Sequence, residues 1–222
     1  MQIVFLGTSS AEAMPREGCD CLQCLSKDKK DKRLRSSLLI ELKILIDAGP
    51  DIIKQLTHNQ IKKLEAVLIT HDHQDHVGGI KDLLKIRPEM RVIRLKPGQH
   101  FKLLGIDFFA FKVKHSKLVE TVGLAVNNLL YLPDVAELTW AEQYIREAKI
   151  AVLDGSVWGR DFGGHMAMNE IISQTKNYKS IKKIYFTHNG HTHKTHSDLN
   201  KLVKTLGDER FSLAYDGLEL EV

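Results

Sequence analysis

Short apolar runs, rich in β-branched residues and bounded by glycine or charged residues, recur along the first third of the chain. Runs of this kind are typical of strands that a fold buries. Four strands are predicted in this part, at residues 2–6, 37–42, 43–47 and 66–70. Residues 51–56 instead carry apolar side chains at helical spacing directly after Gly49 and Pro50, which predicts a short helix with an acidic first turn.

The second half of the chain alternates strand-like and helix-like segments. Strands are predicted at residues 107–113, 123–132, 149–153 and 181–187, and helices at residues 138–148 and 166–175. Strands interleaved with helices favour an α/β fold. No linker, composition break or internal repeat interrupts the pattern, so we predict a single domain that spans residues 1–222.

The composition is that of a globular protein of moderate charge. With 222 residues, of which 43% are hydrophobic, the chain can bury one sizeable core. The net charge is only +4, and the basic stretch at residues 27–35 also contains acidic residues, so we interpret it as a solvated face, which disfavours a nucleic-acid partner. The first residues lack the features of a signal peptide and no apolar run could span a bilayer, which predicts a cytoplasmic protein without membrane contact.

The cysteines are clustered near the start of the chain. Cys19, Cys21 and Cys24 are the only three, and they fall within six residues. An odd and tightly spaced set cannot form a disulfide framework. Metal ligation is therefore the better interpretation of this cluster.

The segment with the most chemical information is residues 69–79, where a predicted strand runs directly into a turn. This turn contains His71, His73, Asp75 and His76, and ends at two glycines. Imidazole and carboxylate are the groups that divalent zinc, manganese or iron accept as ligands. A polar surface turn has no need for so many of them, so the segment predicts a metal site.

This H-x-H-x-D-H pattern after a strand resembles the signature of the metallo-β-lactamase superfamily. The resemblance implies a four-layer αββα sandwich with two divalent catalytic metals, Mn or Zn, at one edge of the sheets. It also implies three further ligands on later loops, for which His115, Asp134 and His188 stand at matching places. On this reading His71, His73 and His115 bind one ion, Asp75, His76 and His188 bind the other, and Asp134 bridges them.

The C-x-C-x-x-C motif is similar to that of the phosphoribosyl cyclic phosphodiesterases of bacterial phosphonate breakdown. In that family the three cysteines and a histidine hold a structural zinc, which here implies Cys19, Cys21, Cys24 and His191. The resemblance further implies catalysis by Asp75, which orients the attacking hydroxide, and by His165 as general acid. It implies a small phosphodiester substrate, such as 5-phosphoribose 1,2-cyclic phosphate, and a homodimer.

The chain departs from that family at a few positions. Leu124 and Val157 replace a tyrosine and a histidine, and residues 191–196 contain extra histidines. We expect the departures to lie near the substrate pocket, and His193 and His196 to be exposed loop residues.

Two alternatives share parts of the pattern. One is a tRNA 3′-processing endonuclease, although the long Gly/Lys-rich arm of those enzymes is absent from the sequence. The other is a non-catalytic, cofactor-handling protein that resembles the pyrroloquinoline quinone biosynthesis paralogue, which shares the cysteine motif.

Overall fold

Two β-sheets lie at the centre of the structure, with helices on their outer faces. The computed structural model describes all 222 residues. The strands are β1 Gln2–Gly7, β2 Ser37–Ile40, β3 Ile44–Ile46, β4 Ala66–Ile69, β5 Arg91–Arg94, β6 His100–Leu103, β7 Ile106–Val113, β8 Thr121–Val126, β9 Leu129–Leu132, β10 Ile150–Asp154, β11 Lys183–Thr187, β12 Phe211–Leu213 and β13 Glu219–Glu221. The α-helices are α1 Leu22–Leu25, α2 Ile52–Gln55, α3 His58–Lys63, α4 Gln74–Val77, α5 Ile80–Ile86, α6 Glu142–Glu147, α7 Met168–Thr175 and α8 His196–Leu206, with a 3₁₀ turn at Lys29–Asp31.

Each sheet has an antiparallel part and a parallel part. The first sheet has the strand order β13-β1-β2-β3-β4-β5, and the second has the order β12-β11-β10-β9-β8-β7-β6. Strands β3, β4 and β5 are mutually parallel, as are β9, β10, β11 and β12. The carboxyl ends of parallel strands meet at one edge of a sheet, which is where open α/β sheets bind ligands.

Alternating side chains of the strands pack into different apolar layers. In β3, Ile44 and Ile46 face the cluster between the two sheets, whereas Leu45 packs under the helices α2, α3 and α5. In β10, Val152 points between the sheets and Leu153 packs under α6, α7 and α8. Both faces of these two inner strands are thus buried. This confirms the predicted α/β class and its four-layer αββα sandwich.

Several predicted elements differ from the structure. Residues 123–132 form two strands instead of one, because the chain turns at Asn127, which has a φ of 52°, and the two halves pair as an antiparallel hairpin. The predicted helix at residues 138–148 is shorter and occupies only Glu142–Glu147. The sequence pattern does not predict five of the helices, α1, α3, α4, α5 and α8, or the edge strands β5, β6, β12 and β13.

The prediction that residues 27–35 form a solvated face is wrong for two of them. Asp31 and Arg33 are buried, with 1% and 2% exposure. The Arg33 guanidinium donates to Thr8 Oγ1 at 2.7 Å, to the carbonyl of Ala214 at 2.6 Å and to His196 Nδ1 at 2.8 Å. The satisfied donors explain how a charged group tolerates this position.

None of the helices combines the length and apolar character that crossing a membrane requires.

Candidate metal centre

The histidine-rich motif forms the turn that follows β4. His71 lies just beyond the strand, His73 is the N-cap of α4, and Asp75 and His76 lie within that short helix. The loop after β3 packs against this turn at Gly49. A Cβ atom at Gly49 would lie 2.0 Å from the carbonyl oxygen of Asp75, so only glycine permits the approach. Glycine at this point therefore helps to fix the backbone of the motif.

The first cluster of the centre consists of three imidazoles. His73 Nδ1 lies 3.0 Å from His71 Nε2 and 3.3 Å from His115 Nε2. The donor atoms of the three residues lie within 4.8 Å of one another. Three ring nitrogens that converge in this way can share one cation, and these are the three residues that the superfamily resemblance implies for the first ion.

The second cluster lies beside the first. Asp75 Oδ2 is 3.1 Å from His188 Nε2 and 3.4 Å from His76 Nε2, and the two imidazole nitrogens are 3.4 Å apart. His188 follows β11, whereas the other two residues come from α4. The structure thus brings together the three residues that the superfamily resemblance implies for a second ion.

Asp134 lies between the two clusters. Its Oδ2 is 3.3 Å from His76 Nε2, and its Oδ1 is 3.5 Å from His188 Nε2 and 3.8 Å from His115 Nε2. Burial by itself would raise the pKa of this carboxyl, but the charges of His188 and His76 lower it, so Asp134 stays ionised. Its Oδ2 is buried and accepts no hydrogen bond. An ionised, unpartnered oxygen among imidazoles fits a bridging metal ligand.

Four of the five imidazoles are held through their Nδ1 atoms. The partners are Thr70 Oγ1 for His71 (3.0 Å), Asp47 Oδ2 for His76 (2.7 Å), the Gly164 carbonyl for His115 (2.9 Å) and Ser156 Oγ for His188 (2.7 Å). Each contact leaves the Nε2 atom directed at the clusters. Metal-binding histidines in proteins are characteristically oriented in this way, with the second ring nitrogen bonded to a carboxylate, carbonyl or hydroxyl.

Sequence reasoning did not identify the residues that orient these rings. Asp47 is fully buried, accepts the Thr70 hydroxyl at 2.9 Å and adopts a φ of 61° at the end of β3. Ser156 donates to Asp154 Oδ1 at 2.6 Å while its oxygen contacts His188. An acidic residue directly after an apolar strand is the one signal in the sequence that Asp47 and Asp154 share.

His165 lies at the mouth of the centre on a two-residue hairpin turn. Gly163 and Gly164 have φ values of 63° and 90°, and the backbones of Phe162 and His165 pair across the turn. His165 Nδ1 donates to Asp154 Oδ2 at 2.7 Å. Burial lowers the pKa of His165, but the Asp154 carboxylate outweighs burial and raises it to about 9. Because Nδ1 is bonded to Asp154, Nε2 is the ring nitrogen of His165 that can contact a ligand or substrate.

The donor atoms of His115, Asp134 and His165 also lie within 4.8 Å of one another. His165 is therefore close enough to take part in metal binding as well as in proton transfer.

An open cavity of about 570 Å³ lies over both clusters. Its walls are Ser10, Ala11, Arg16, His73, Gln74, Asp75, His115, Asp134, Ser156, Val157, Phe162, Gly163, His165, His188, Gly190 and His191. Most of these residues are polar. Val157, one of the departures from the related family, lines this cavity as expected. Leu124 does not: it is fully buried between the sheets, because β8 directs its side chain into the core, and the expectation for it was wrong.

The cysteine cluster lies beside the metal centre, since His191 lines the same cavity. His191 Nε2 is 3.5 Å from Cys19 Sγ, 3.2 Å from Cys21 Sγ and 3.4 Å from Cys24 Sγ. Zn–S bonds of about 2.3 Å and Zn–N bonds of about 2.0–2.1 Å in a tetrahedron would place sulfur and nitrogen about 3.5 Å apart. The four residues thus fit a structural zinc with no open position.

This cluster ties the N-terminal loop to the loop that carries His188. We expect Cys21→Ser to lose one zinc per chain and to lower the melting temperature, because a four-ligand site loses a thiolate. Any turnover at the metal centre should fall by no more than about 10- to 100-fold, since the residues of the two clusters remain. Elemental analysis and a melting curve measure both effects. Asp20→Asn, at an exposed position between two of the cysteines, is the matched control. Full zinc content and an unchanged melting curve in Cys21→Ser would show that the cysteines are not ligands.

The two remaining histidines of this loop differ from each other. His193 is exposed, as predicted, and its ring centre lies 4.3 Å from that of His191. His196 is buried at the start of α8 and contacts Arg33, so the expectation of an exposed loop residue was wrong. The reason is that Thr195 caps α8 and turns His196 inward.

The chain is similar to a described protein family and to solved structures. The family model described as "Beta-lactamase superfamily domain" matches residues 43–93 and 84–189, more than half of the chain. A solved structure of a new diphosphatase from the PhnP family is similar over 100% of this chain and 97% of its own, with 25% identity and a TM-score of 0.83. Zn²⁺-bound PqqB from Methylobacterium extorquens is similar over 100% of both chains with 19% identity and a TM-score of 0.76, which shows the fold alone.

The chain is also similar to an octanoyltransferase of Porphyromonas gingivalis. It is 25% identical over an alignment that covers 99% of this chain and 51% of the relative. The chain thus spans about half the length of that protein.

Proposed function

This chain belongs to the β-lactamase superfamily, and from that membership we propose that it is a metal-dependent phosphodiesterase that hydrolyses a small, cyclic phosphodiester. Its substrate would be of the 5-phosphoribose 1,2-cyclic phosphate type. His71, His73 and His115 would hold one divalent cation, Asp75, His76 and His188 a second, and Asp134 would bridge them. Imidazole and carboxylate ligands suit both Zn and Mn.

The observation that carries this proposal is the orientation of the imidazoles. Four rings are fixed through Nδ1, and their Nε2 atoms converge on two carboxylates, one of which has a buried oxygen without a partner. Such an arrangement leaves negative charge and unused lone pairs at one point. Cations are the chemical species that would satisfy both.

Phosphodiesters resist hydrolysis because the anionic phosphorus centre repels a nucleophile and the alkoxide leaves poorly. Divalent cations at this centre would supply a water of lowered pKa and positive charge opposite the phosphoryl oxygens. Asp75 lines the cavity and can accept a hydrogen bond from the attacking water. The ordered ligands around it would keep that water on one side of the phosphorus.

The leaving oxygen requires a proton, and His165 would give it. Asp154 fixes the ring through Nδ1, and the His165 side chain lines the cavity with 17% exposure. A proton on Nε2 can therefore pass to the leaving alkoxide as the bond to phosphorus breaks. Asp154 keeps the ring oriented and stabilises its charged form.

Similarity to the diphosphatase of the PhnP family supports chemistry at phosphorus. That protein is similar to this chain over nearly its whole length. Diphosphate and phosphodiester bonds pose the same problems of negative charge and a poor leaving group, so the two reactions make the same demands on a site.

The direct test uses the purified protein loaded with Mn²⁺ or Zn²⁺. We expect hydrolysis of bis(p-nitrophenyl) phosphate and faster hydrolysis of 5-phosphoribose 1,2-cyclic phosphate. A chelator should abolish both activities, and added metal should restore them. No hydrolysis of any diester by the fully loaded protein would contradict the proposal and favour a non-catalytic, cofactor-handling role. Cleavage of a tRNA precursor with no hydrolysis of the cyclic ester would instead favour the endonuclease alternative.

A further inference from the structure

A second, smaller cavity adjoins the one over the metal centre. It has a volume of about 420 Å³ and is lined by Ser156, Val157, Trp158, Arg160, Phe162, His191, Thr192 and Lys194. Four of these residues, Ser156, Val157, Phe162 and His191, also line the larger cavity. A small molecule that lies over the metal ligands can therefore extend into the second cavity.

The charges of the second cavity are all of one sign. Arg160 and Lys194 line it, and no carboxylate does. Neither side chain makes an ion pair or a hydrogen bond within the protein, in contrast to Arg16 in the larger cavity, which pairs with Glu12. Two cations on one concave surface repel each other, and a bound anion would relieve that repulsion.

The backbone on both sides of Arg160 is anchored. The amide of Gly159 donates to Asn169 Oδ1 at 2.8 Å, and Asp161 Oδ1 accepts the amide of Ala167 at 2.7 Å. Both contacts connect this loop to the start of α7. The position of the Arg160 backbone is thus fixed, while its guanidinium has no partner in the protein.

Lys194 is anchored in a similar way from the other side. It lies between His191 of the cysteine cluster and Thr195, whose hydroxyl accepts the amide of Asp198 and caps α8. The two cations therefore come from different loops, each fixed to a helix, and both line the same small cavity. The backbones that carry the two charges are thus fixed, while both charged ends remain free to contact a ligand.

We propose that Arg160 and Lys194 bind a terminal phosphate group of the substrate whose diester lies at the metal centre. This inference rests on the proposed phosphodiesterase function. A phosphate monoester carries a charge of about −1.5 to −2 at pH 7, which two cations neutralise more fully than they would a carboxylate. Arginine offers two parallel donors to phosphate oxygens, and lysine adds a point charge. The phosphate monoester of the proposed substrate would thus lie in the second cavity.

The test compares two substrates that differ only in that group, 5-phosphoribose 1,2-cyclic phosphate and ribose 1,2-cyclic phosphate. We expect Arg160→Gln and Lys194→Gln each to raise KM for the phosphorylated substrate by about 10-fold, the lower range for a hydrogen bond to a charged group. The KM of each variant for the substrate without the 5-phosphate should stay within about twofold of the wild-type KM. Lys182→Gln is the matched control, since Lys182 is exposed at the opposite end of β11 from His188.

A binding measurement separates this inference from the function on which it rests. Ribose 5-phosphate carries the monoester but no diester, and calorimetry should show that Arg160→Gln and Lys194→Gln weaken its binding while Lys182→Gln does not. If neither the wild type nor any variant hydrolyses either ester, the phosphodiesterase proposal fails. The calorimetry then still decides whether the two cations bind a phosphate monoester. Equal affinity for ribose 5-phosphate in all proteins, or equal KM changes for both esters, would overturn the inference.

Discussion

His73→Ala and Asp75→Asn should each remove measurable turnover while leaving the fold intact. His73→Ala removes the Nδ1 atom from the first cluster, and Asp75→Asn removes the carboxylate charge that faces His188 Nε2 in the second. A catalytic metal contributes several kcal/mol to the transition state, so a loss of about 10³-fold or more is expected. Neither residue belongs to an apolar cluster, so core packing should not change.

The measurement is turnover of bis(p-nitrophenyl) phosphate together with metal content and a melting curve. Asp72→Asn is a close control, because Asp72 lies within the same motif but is exposed and pairs with Arg94 at 2.9 Å. It should retain nearly full activity. Turnover within a few-fold of wild type in His73→Ala or Asp75→Asn would end the two-metal proposal.

The metal site could be predicted from the histidine motif because the members of the motif are close along the chain and have no evident structural role there. A backbone that turns after β4 brings His71, His73, Asp75 and His76 together by local geometry alone. The superfamily resemblance that this motif carries is confirmed by the family model, and the αββα fold by the structure. His115, Asp134 and His188 could be placed only through that resemblance, because the strands that bring them to the centre are distant in sequence.

The residues that orient the ligands could not be predicted from the sequence in the same way. Asp47 and Ser156 each follow an apolar strand singly, and a single polar residue at a strand end is common in any α/β fold. Their importance arises only when sheet pairing brings Asp47 beside His76 and Ser156 beside His188. Periodicity describes the strands themselves but carries no information about which strand ends meet.

The sequence does not predict the burial of Arg33 either, and the reason is similar. The lysines and aspartates around it give the segment the composition of a solvated loop. Arg33 is nevertheless enclosed because Thr8, Ala214 and His196, from three distant parts of the chain, supply its acceptors. Charge patterning predicts average exposure and cannot anticipate acceptors that tertiary structure provides.

The contribution of His165 should depend on the leaving group. With Asp154 bonded to its Nδ1, the ring can deliver a proton from Nε2 to an alkoxide, which leaves poorly without one. His165→Ala should therefore lower the turnover of an alkyl ester, such as the cyclic ribose phosphate, by roughly 10²- to 10⁴-fold. The loss should be much smaller for bis(p-nitrophenyl) phosphate, because p-nitrophenolate departs without protonation.

The same variant also tests the second arrangement that the structure permits, in which His165 joins His115 and Asp134 as a metal ligand. A general acid can be removed without loss of metal, so His165→Ala should retain the full metal content of the wild type. His58→Ala, an exposed histidine on α3, is the control and should change neither turnover nor metal content. Loss of one metal per chain would identify His165 as a ligand. An equal loss of turnover on both substrates with all metal retained would assign it to substrate binding, because only proton donation makes the effect depend on the leaving group.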